Sequence, residues 1–384
     1  MPYSDFIERE DVYTILQRTL EGYFGGKVTL HEKKGSPPKG NLFYCFPRIN
    51  AIIPVNYKSN IKEYLERDNN ITYSFARRFI MNSYLRQLFR HPDKHSHKYV
   101  ELEFAPNDYK SLLIYPGNKK IKIMNFDKMT IDCVVKKGFS DTWFNKELEI
   151  RENPKWDFIL PLEVVSSDIY REKLIVGYPF VRLDIQIQSN LLPVVEGYIE
   201  RIQENSTTDS ISQYSSKLLE RIRNLVSLNN DMSDVEKNRI MIFATKLAEI
   251  NAYDSYDIKL TLSHGDLQKG NLLLESENRK LWILDWETWE IRSEYYDKML
   301  FYYNLRNSSK IVKNLRALLA DKERSISLRI KKNEHLKSII RVFLLEDIVW
   351  QLEETKVMPD AIFSRGLRAY IDSVFQRKLI YLIQ

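Results

Sequence analysis

A chain of 384 residues with 43% hydrophobic and 29% charged residues has the composition of an ordinary globular protein, long enough for two or three domains. Twelve glycines and 13 prolines exclude a collagen-like or low-complexity chain. The formal charge of +6, spread over this length, reads as a solvated surface and gives no reason to expect a nucleic-acid partner.

Cys45 and Cys133 are the only cysteines, too few for a disulfide framework, which points to a reducing compartment. The first residues (MPYSDFIERE) carry acids and no apolar run follows them, so no signal peptide is expected. No stretch reaches the roughly 20 apolar residues of a membrane span. The expectation is a cytoplasmic protein without membrane insertion.

In chain order, residues 1–105 form a mixed N-terminal accessory region. A helix is expected over 5–23, ending at Gly25–Gly26. Short strands are expected over 42–55, broken by Pro47 and Pro54, and helix over 60–91. His91, His95 and His97 cluster in the loop that follows, at a spacing that matches no metal-binding pattern.

Residues 106–181 switch to a period of two. SLLIY, Pro116-Gly117-Asn118 and IKIMNF read as a hairpin, since Pro-Gly suits the centre of a tight turn. A third strand (MTIDCVVKK), a short helix (FNKELEIREN) and two more strands near 158–165 and 172–178 follow. The pattern is a small antiparallel sheet carrying one helix.

Residues 182–384 read as mainly helical, with a polar loop at 205–212 and a β interlude at 260–286. The interlude carries the chemistry. An apolar strand delivers Ser263-His264-Gly265-Asp266 into a loop, and Asn271 follows at the start of the next strand. After a turn, a third strand ends in Leu284-Asp285-Trp286-Glu287. Phosphoryl transfer needs a carboxylate to hold the attacking hydroxyl and oxygen ligands to hold magnesium on the phosphates. A loop between strands can aim Asp266 at an acceptor and Asn271 back at a metal, while Asp285 supplies a second metal ligand.

These residues resemble the H-G-D-x-x-x-x-N loop and the I-D-[WF]-[ED] strand end of the aminoglycoside phosphotransferase and choline kinase superfamily, distant relatives of protein kinases. The resemblance covers about residues 106–300. It implies an α+β, two-lobed protein-kinase-like fold, with an antiparallel N-lobe at 106–181 and a helical C-lobe at 182–384. It implies ATP (or GTP) and Mg2+ as cofactors, and a small-molecule hydroxyl as acceptor. Asp266 would orient that hydroxyl, His264 would brace the loop, and Asn271 and Asp285 would ligate magnesium. Asp297 would support the metal-binding segment. Gly265 replaces the Arg of protein kinases, and neither D-F-G nor A-P-E follows Asp285, so control by loop phosphorylation is not expected.

Cys133-Val134-Val135-Lys136-Lys137 resembles the strand whose Lys holds the α and β phosphates. Alternation puts Val134 and Lys136 on one face, which would floor the base and reach the phosphates; Lys137 is the rival on the other face. A helix Glu would pair with that Lys, and Glu147 is favoured over Glu149 and Glu152. Residues 174–181, including Gly177 and Tyr178, would form the hinge against the base.

The aromatic run after Asp285 leaves choline in view as an acceptor, although anchoring the helical lobe is the stronger reading of those rings. The rivals are a kinase of a protein or glycan, a nucleotidyl transferase on the same scaffold, and a nucleotide-binding regulator without catalysis.

Overall fold

The computed structural model describes residues 12–32, 40–72, 75–230, 232–306, 310–320 and 333–357. In chain order the first third holds α1 (Val12–Phe24), β1 (Val28–Glu32), β2 (Asn41–Phe46), β3 (Ala51–Pro54), α2 (Ser59–Thr72), α3 (Phe75–Arg90), α4 (Pro92–His95) and β4 (Lys98–Leu102). Next come β5 (Leu112–Pro116), β6 (Lys120–Asn125), β7 (Thr130–Val135), α5 (Thr142–Arg151), β8 (Leu162–Ser166), β9 (Ile169–Lys173) and β10 (Gly177–Pro179). Then follow α6 (Ile185–Ile202), β11 (Ser206–Ser210), α7 (Ile211–Ser227), α8 (Asp234–Asn251), β12 (Asp257–Ser263), β13 (Leu272–Glu275), β14 (Leu281–Ile283) and β15 (Glu290–Ser293). The last described elements are α9 (Tyr296–Tyr303), α10 (Ile311–Ala320) and α11 (Asn333–Val357). The chain divides into two compact units, residues 1–183 with 273–284 and residues 184–272 with 285–384. The α+β class expected from the sequence holds, with an antiparallel sheet in the first unit and mostly helix in the second.

In the first unit nine strands form one sheet, in the order β1-β4-β2-β3-β5-β6-β7-β9-β8. The strands of residues 1–105 therefore continue the sheet of residues 106–181, joined where Ile52 of β3 pairs with Ile114 of β5. The hairpin read from Pro116-Gly117-Asn118 links β5 to β6, and the Gly117 N–H donates to Lys120 O at 2.8 Å.

Strand alternation gives the sheet two different faces. On one, Ile121, Ile123 and Val134 join Phe43, Ile52 and Val100 in a core that Leu16 and Leu20 of α1 cover. Each such fully buried Leu, Ile or Phe is worth about 1.5–3 kcal/mol. The opposite face carries the intervening residues, and the register sets Lys122 across from Cys133 and Met124 across from Ile131. A separate three-stranded sheet, β10-β13-β14, belongs to the same unit.

The second unit is built on a large apolar core from α7, α8, α9, α10 and α11, with Ile222, Phe243, Met299, Leu315 and Phe343 buried in it. Its helix starts are well capped. Ser233 and Glu236 form a reciprocal capping box at α8, and Asp184 accepts from the Gln186 N–H at the start of α6.

The polar stretch at 205–212, expected as a loop, instead holds β11, which pairs with β12 from Ser206↔Thr261 to Ser210↔Asp257. Two adjacent threonines suit a strand, and the polarity reflects exposure. β15 pairs with the other edge of β12, from Leu260↔Ser293 to Ser263↔Glu290, within a region expected to be helical. The helices expected to run to the C-terminus are described as far as Val357; residues 358–384 lie outside the described residues. Among the described residues no helix is long and apolar enough to cross a membrane.

Candidate functional site

The first unit contains a cavity of ≈ 180 Å³ on the Lys122–Ile131 face of the sheet. Met124, Ile131, Leu174, Ile175, Leu273 and Leu284 make much of its lining apolar. Gly177, expected in the hinge, lies on this wall. A Cβ there would come 2.5 Å from Leu274 O, because β10 and β13 pair at this point, so only glycine fits. Tyr178 is part-exposed and pairs with Leu274.

Beside Lys122 on the same face runs a chain of buried charges. Lys120 Nζ lies 2.9 Å from Glu147 Oε2 and 3.1 Å from the Tyr170 hydroxyl, which itself donates to Glu147 at 3.0 Å. Arg151 donates to Glu147 Oε1 at 2.5 Å and to Leu160 O at 2.8 Å, and it pairs with Glu172. Burial alone would push the Arg151 pKa down, but Glu172 and Glu147 hold it well above its ordinary value. Burial drives the Tyr170 hydroxyl far up, so it stays protonated and donates. Removing one partner of such a buried set costs about 3–5 kcal/mol, because the others are left uncompensated.

The structure places the two faces of β7 differently. Val134, read as the floor of the base pocket, is buried on the opposite face with Leu16 and Leu20. Ile131 lines the cavity, and Cys133 faces Lys122 across the register. Burial pushes the Cys133 thiol up to about 12, leaving it a neutral, packed side chain. Lys136 is buried just past the strand end, with its ammonium 5.2 Å from the centroid of Phe139. Lys137 is solvent-facing and bridges Asp168 at 2.7 Å. Of the three acids on α5, Glu147 is fully buried while Glu149 and Glu152 are exposed. Glu147 pairs with Lys120 of β6 at 2.9 Å. The signal for this was present in the sequence, where Lys120 and Lys122 alternate with Ile121 and Ile123.

In the second unit, β12 leads into the loop that holds His264, Asp266 and Asn271. Asp297, at the start of α9, anchors it. Its Oδ2 accepts the His264 N–H at 2.7 Å and its Oδ1 the Gly265 N–H at 3.0 Å. Gly265 has φ +81°, and a Cβ there would lie 2.1 Å from Thr288 O, so no other residue fits. His264 is fully buried; its Nδ1 accepts the Asp266 N–H at 3.2 Å and its ring packs 4.6 Å from Trp286.

These contacts leave the Asp266 carboxylate part-exposed and tightly held. Oδ1 accepts Gln268 Nε2 at 2.7 Å and Arg306 at 2.5 Å, and Oδ2 accepts Asn271 Nδ2 at 3.0 Å. Among the described residues Oδ2 takes only that one bond, which leaves it room to accept a hydroxyl proton.

Arg306 was not anticipated, since nothing local in Asn304-Leu305-Arg306 marks it. It also donates to Gly265 O and to the Tyr296 hydroxyl, both at 2.6 Å, and to Asp347 at 3.2 Å, while stacking 3.5 Å from the Trp350 ring centroid. Burial would lower its pKa, but Tyr296, Asp266 and Asp347 keep it above the ordinary value, so it is a permanent cation.

Asn271 spends its amide N–H groups on Asp266 O at 2.8 Å and on Oδ2, which leaves its oxygen as a hard donor. Asp285 follows β14 in the left-handed region, at φ +59°, a conformation that costs a non-glycine residue about 1–3 kcal/mol and clusters at functional sites. One amide oxygen and one carboxylate suit magnesium, which keeps several waters and takes its other ligands from substrate phosphates. The described residues contain no group of three or more His, Cys, Asp or Glu side chains able to hold a metal.

No protein-family model and no curated protein sequence matches the chain. Among solved structures it is similar to an ethanolamine kinase of Plasmodium vivax, at 12% identity and a TM-score of 0.43 over 84% of this chain and 97% of that one. It is similar to a choline/ethanolamine kinase family protein of Mesorhizobium loti, at 11% identity and a TM-score of 0.43 over 72% and 93%. A microcompartment-associated aminopropanol kinase is similar at 13% identity and a TM-score of 0.36 over 72% and 96%.

Proposed function

We propose that the chain is an ATP- (or GTP-) and Mg2+-dependent phosphotransferase that moves the γ-phosphoryl group to the hydroxyl of a small molecule. The observation that carries this reading is the Asp266 carboxylate. It is fixed by Arg306, Gln268 and Asn271 through Oδ1 and one lone pair of Oδ2, with no second bond to Oδ2 among the described residues. Such preorganisation is what transfer to a positioned hydroxyl requires.

In this reading the first unit holds the nucleotide. The base lies against Met124, Ile131 and Leu273, and Lys120, held by Glu147, is the phosphate cation in place of Lys136. The second unit performs the transfer. The acceptor O–H donates to Asp266 Oδ2, its oxygen forms the new bond to the γ-phosphorus, and the bond from that phosphorus to the β–γ bridging oxygen breaks, releasing the nucleoside diphosphate. The proton passes to Asp266 and then to solvent. Asn271 and Asp285 would hold magnesium, which supplies charge neutralisation on the phosphates. His264 and Asp297 keep the loop in register.

The test is product analysis with purified protein, MgATP or MgGTP, and a panel containing choline, ethanolamine, aminopropanol, aminoglycosides and simple sugars. Formation of ADP or GDP with a phosphomonoester is expected, and Asp266→Asn should reduce it by about 10²–10⁴-fold, the range for loss of a positioned base. Release of pyrophosphate with AMP on the acceptor would replace this reading by nucleotidyl transfer. Nucleotide binding without any turnover over a broad panel that includes proteins and glycans would favour the regulator.

A further inference from the structure

The cavity that this reading gives to the nucleotide is not closed by kinase-like elements alone. Tyr64, Arg67 and Asp68, all on α2, line it together with the residues of β6, β7 and the 174–179 segment. α2 comes from residues 1–105, which the sequence resemblance left unassigned, and it enters the connection between β3 and β4.

Its side chains are packed against the sheet. The Tyr64 ring lies 5.2 Å from Phe126, just past β6, at 61°, and the Arg67 guanidinium lies 5.4 Å from the Tyr64 ring centroid. Burial, then Asp68, pushes the Tyr64 hydroxyl up to about 12, so it is a neutral group at this wall. Arg67 Nε is buried and has no hydrogen-bond partner among the described residues. A buried donor left unmade costs about 1–3 kcal/mol, and in native proteins such a group calls for an explanation. A ligand acceptor in the adjoining cavity supplies one. The cavity, at ≈ 180 Å³, is smaller than the about 300–1,000 Å³ typical of a site enclosing a whole ligand, which fits the part of a nucleotide that α2 would touch.

We propose that α2 is a wall of the nucleotide site and that Arg67 donates through Nε to the nucleoside part of the bound nucleotide, so that the N-terminal region helps set nucleotide affinity. This rests on the nucleotide-binding reading above. The contact is assigned to base or ribose because most of the lining is apolar, Met124, Ile131, Leu273 and Leu284 among it, while its charges, Lys122 and Lys173 against Asp68 and Glu172, balance and make no triphosphate-binding cluster.

Isothermal titration of the full chain with MgATP, MgGTP, adenosine and guanosine tests the inference, in wild type, Arg67→Ala and Arg67→Lys. Arg67→Ala should weaken the preferred nucleotide and its nucleoside alike, by about tenfold, the worth of one hydrogen bond to a charged group. Arg67→Lys keeps the charge but loses the Nε donor, and it should behave as the Ala variant does. Thermal midpoints without ligand, unchanged among the three proteins, establish that the fold is retained. The inference is overturned by unchanged or tighter binding in Arg67→Ala, by full rescue with Lys, or by weakening of the triphosphate while the nucleoside is unaffected. In each of those cases wild-type binding stands and the nucleotide reading survives. Absence of binding to wild type by any of the four ligands removes both.

Discussion

Asp297 offers the sharpest test of how the loop bearing Asp266 is held. Both of its oxygens are committed, to the backbone N–H groups of His264 and Gly265 at 2.7 and 3.0 Å, and the residue is buried. Asp297→Asn keeps the shape but turns one acceptor into a donor that faces another donor. One amide N–H is then left unmade, at about 1–3 kcal/mol, and the surviving bond loses its charge assistance, at about 1 kcal/mol more. The sum of about 2–4 kcal/mol, at about 2–4 °C per kcal/mol for a unit of this size, lowers the thermal midpoint by about 10 °C. Calorimetry of the apo protein measures this. Steady-state kinetics should show kcat down by about 10–100-fold from a slightly misplaced carboxylate. Affinity for the magnesium-free nucleotide should hardly change, because the proposed base and phosphate-cation contacts lie in the first unit, whereas the magnesium ligand Asn271 shares the disturbed loop. A midpoint within about 1 °C of wild type, or loss of nucleotide binding with kcat per bound complex intact, would refute the reasoning.

Two further tests address the buried charges. Lys120→Met should weaken MgATP binding by more than tenfold, an effect on the scale of one charge-assisted contact, whereas Lys136→Met should have little effect; the reverse order would return the phosphate contact to β7. Glu346 is pushed up to about 7, by burial above all, although Ser293 and Tyr214 donate to it. A raised carboxylate favours the protonated native state, so its stabilising contribution is fully present below the unfolded value of about 4.5. That contribution is lost as pH rises through about 7. Chemical denaturation across pH 4.5 to 7 should show this loss in wild type and not in Glu346→Gln; equal slopes would assign the proton elsewhere.

The loop of Asp266 was legible in the sequence because its parts are contiguous. Asp266 and Asn271 lie on one turn between two apolar strands and hydrogen-bond to each other, and Asp285 follows the next strand. Arg306 was not legible. It reaches Asp266 from forty positions away, after α9, and only tertiary packing on Trp350 and Asp347 brings it there. The phosphate lysine was not legible for another reason. A period of two tells which residues share a face but not which face meets the ligand, and β7 is buried on both. α1 covers the Val134 face, and Ile131 lines the cavity on the other; under the proposed reading that face meets the nucleotide and the cation is supplied by the neighbouring strand. β11 was hidden by composition, since an exposed edge strand of Ser, Thr and Asp carries the same residues as a loop.

The single pair Ile52↔Ile114, where the first four strands join the other five, has a practical consequence. Cutting the chain near residue 105 to isolate a minimal catalytic fragment would not trim an appendage. It would strip the partner from β5, whose Leu112, Leu113 and Ile114 are all buried, and leave a bare, apolar strand edge able to recruit any other extended chain. The N-terminal region thus serves as the sheet's own safeguard against aggregation.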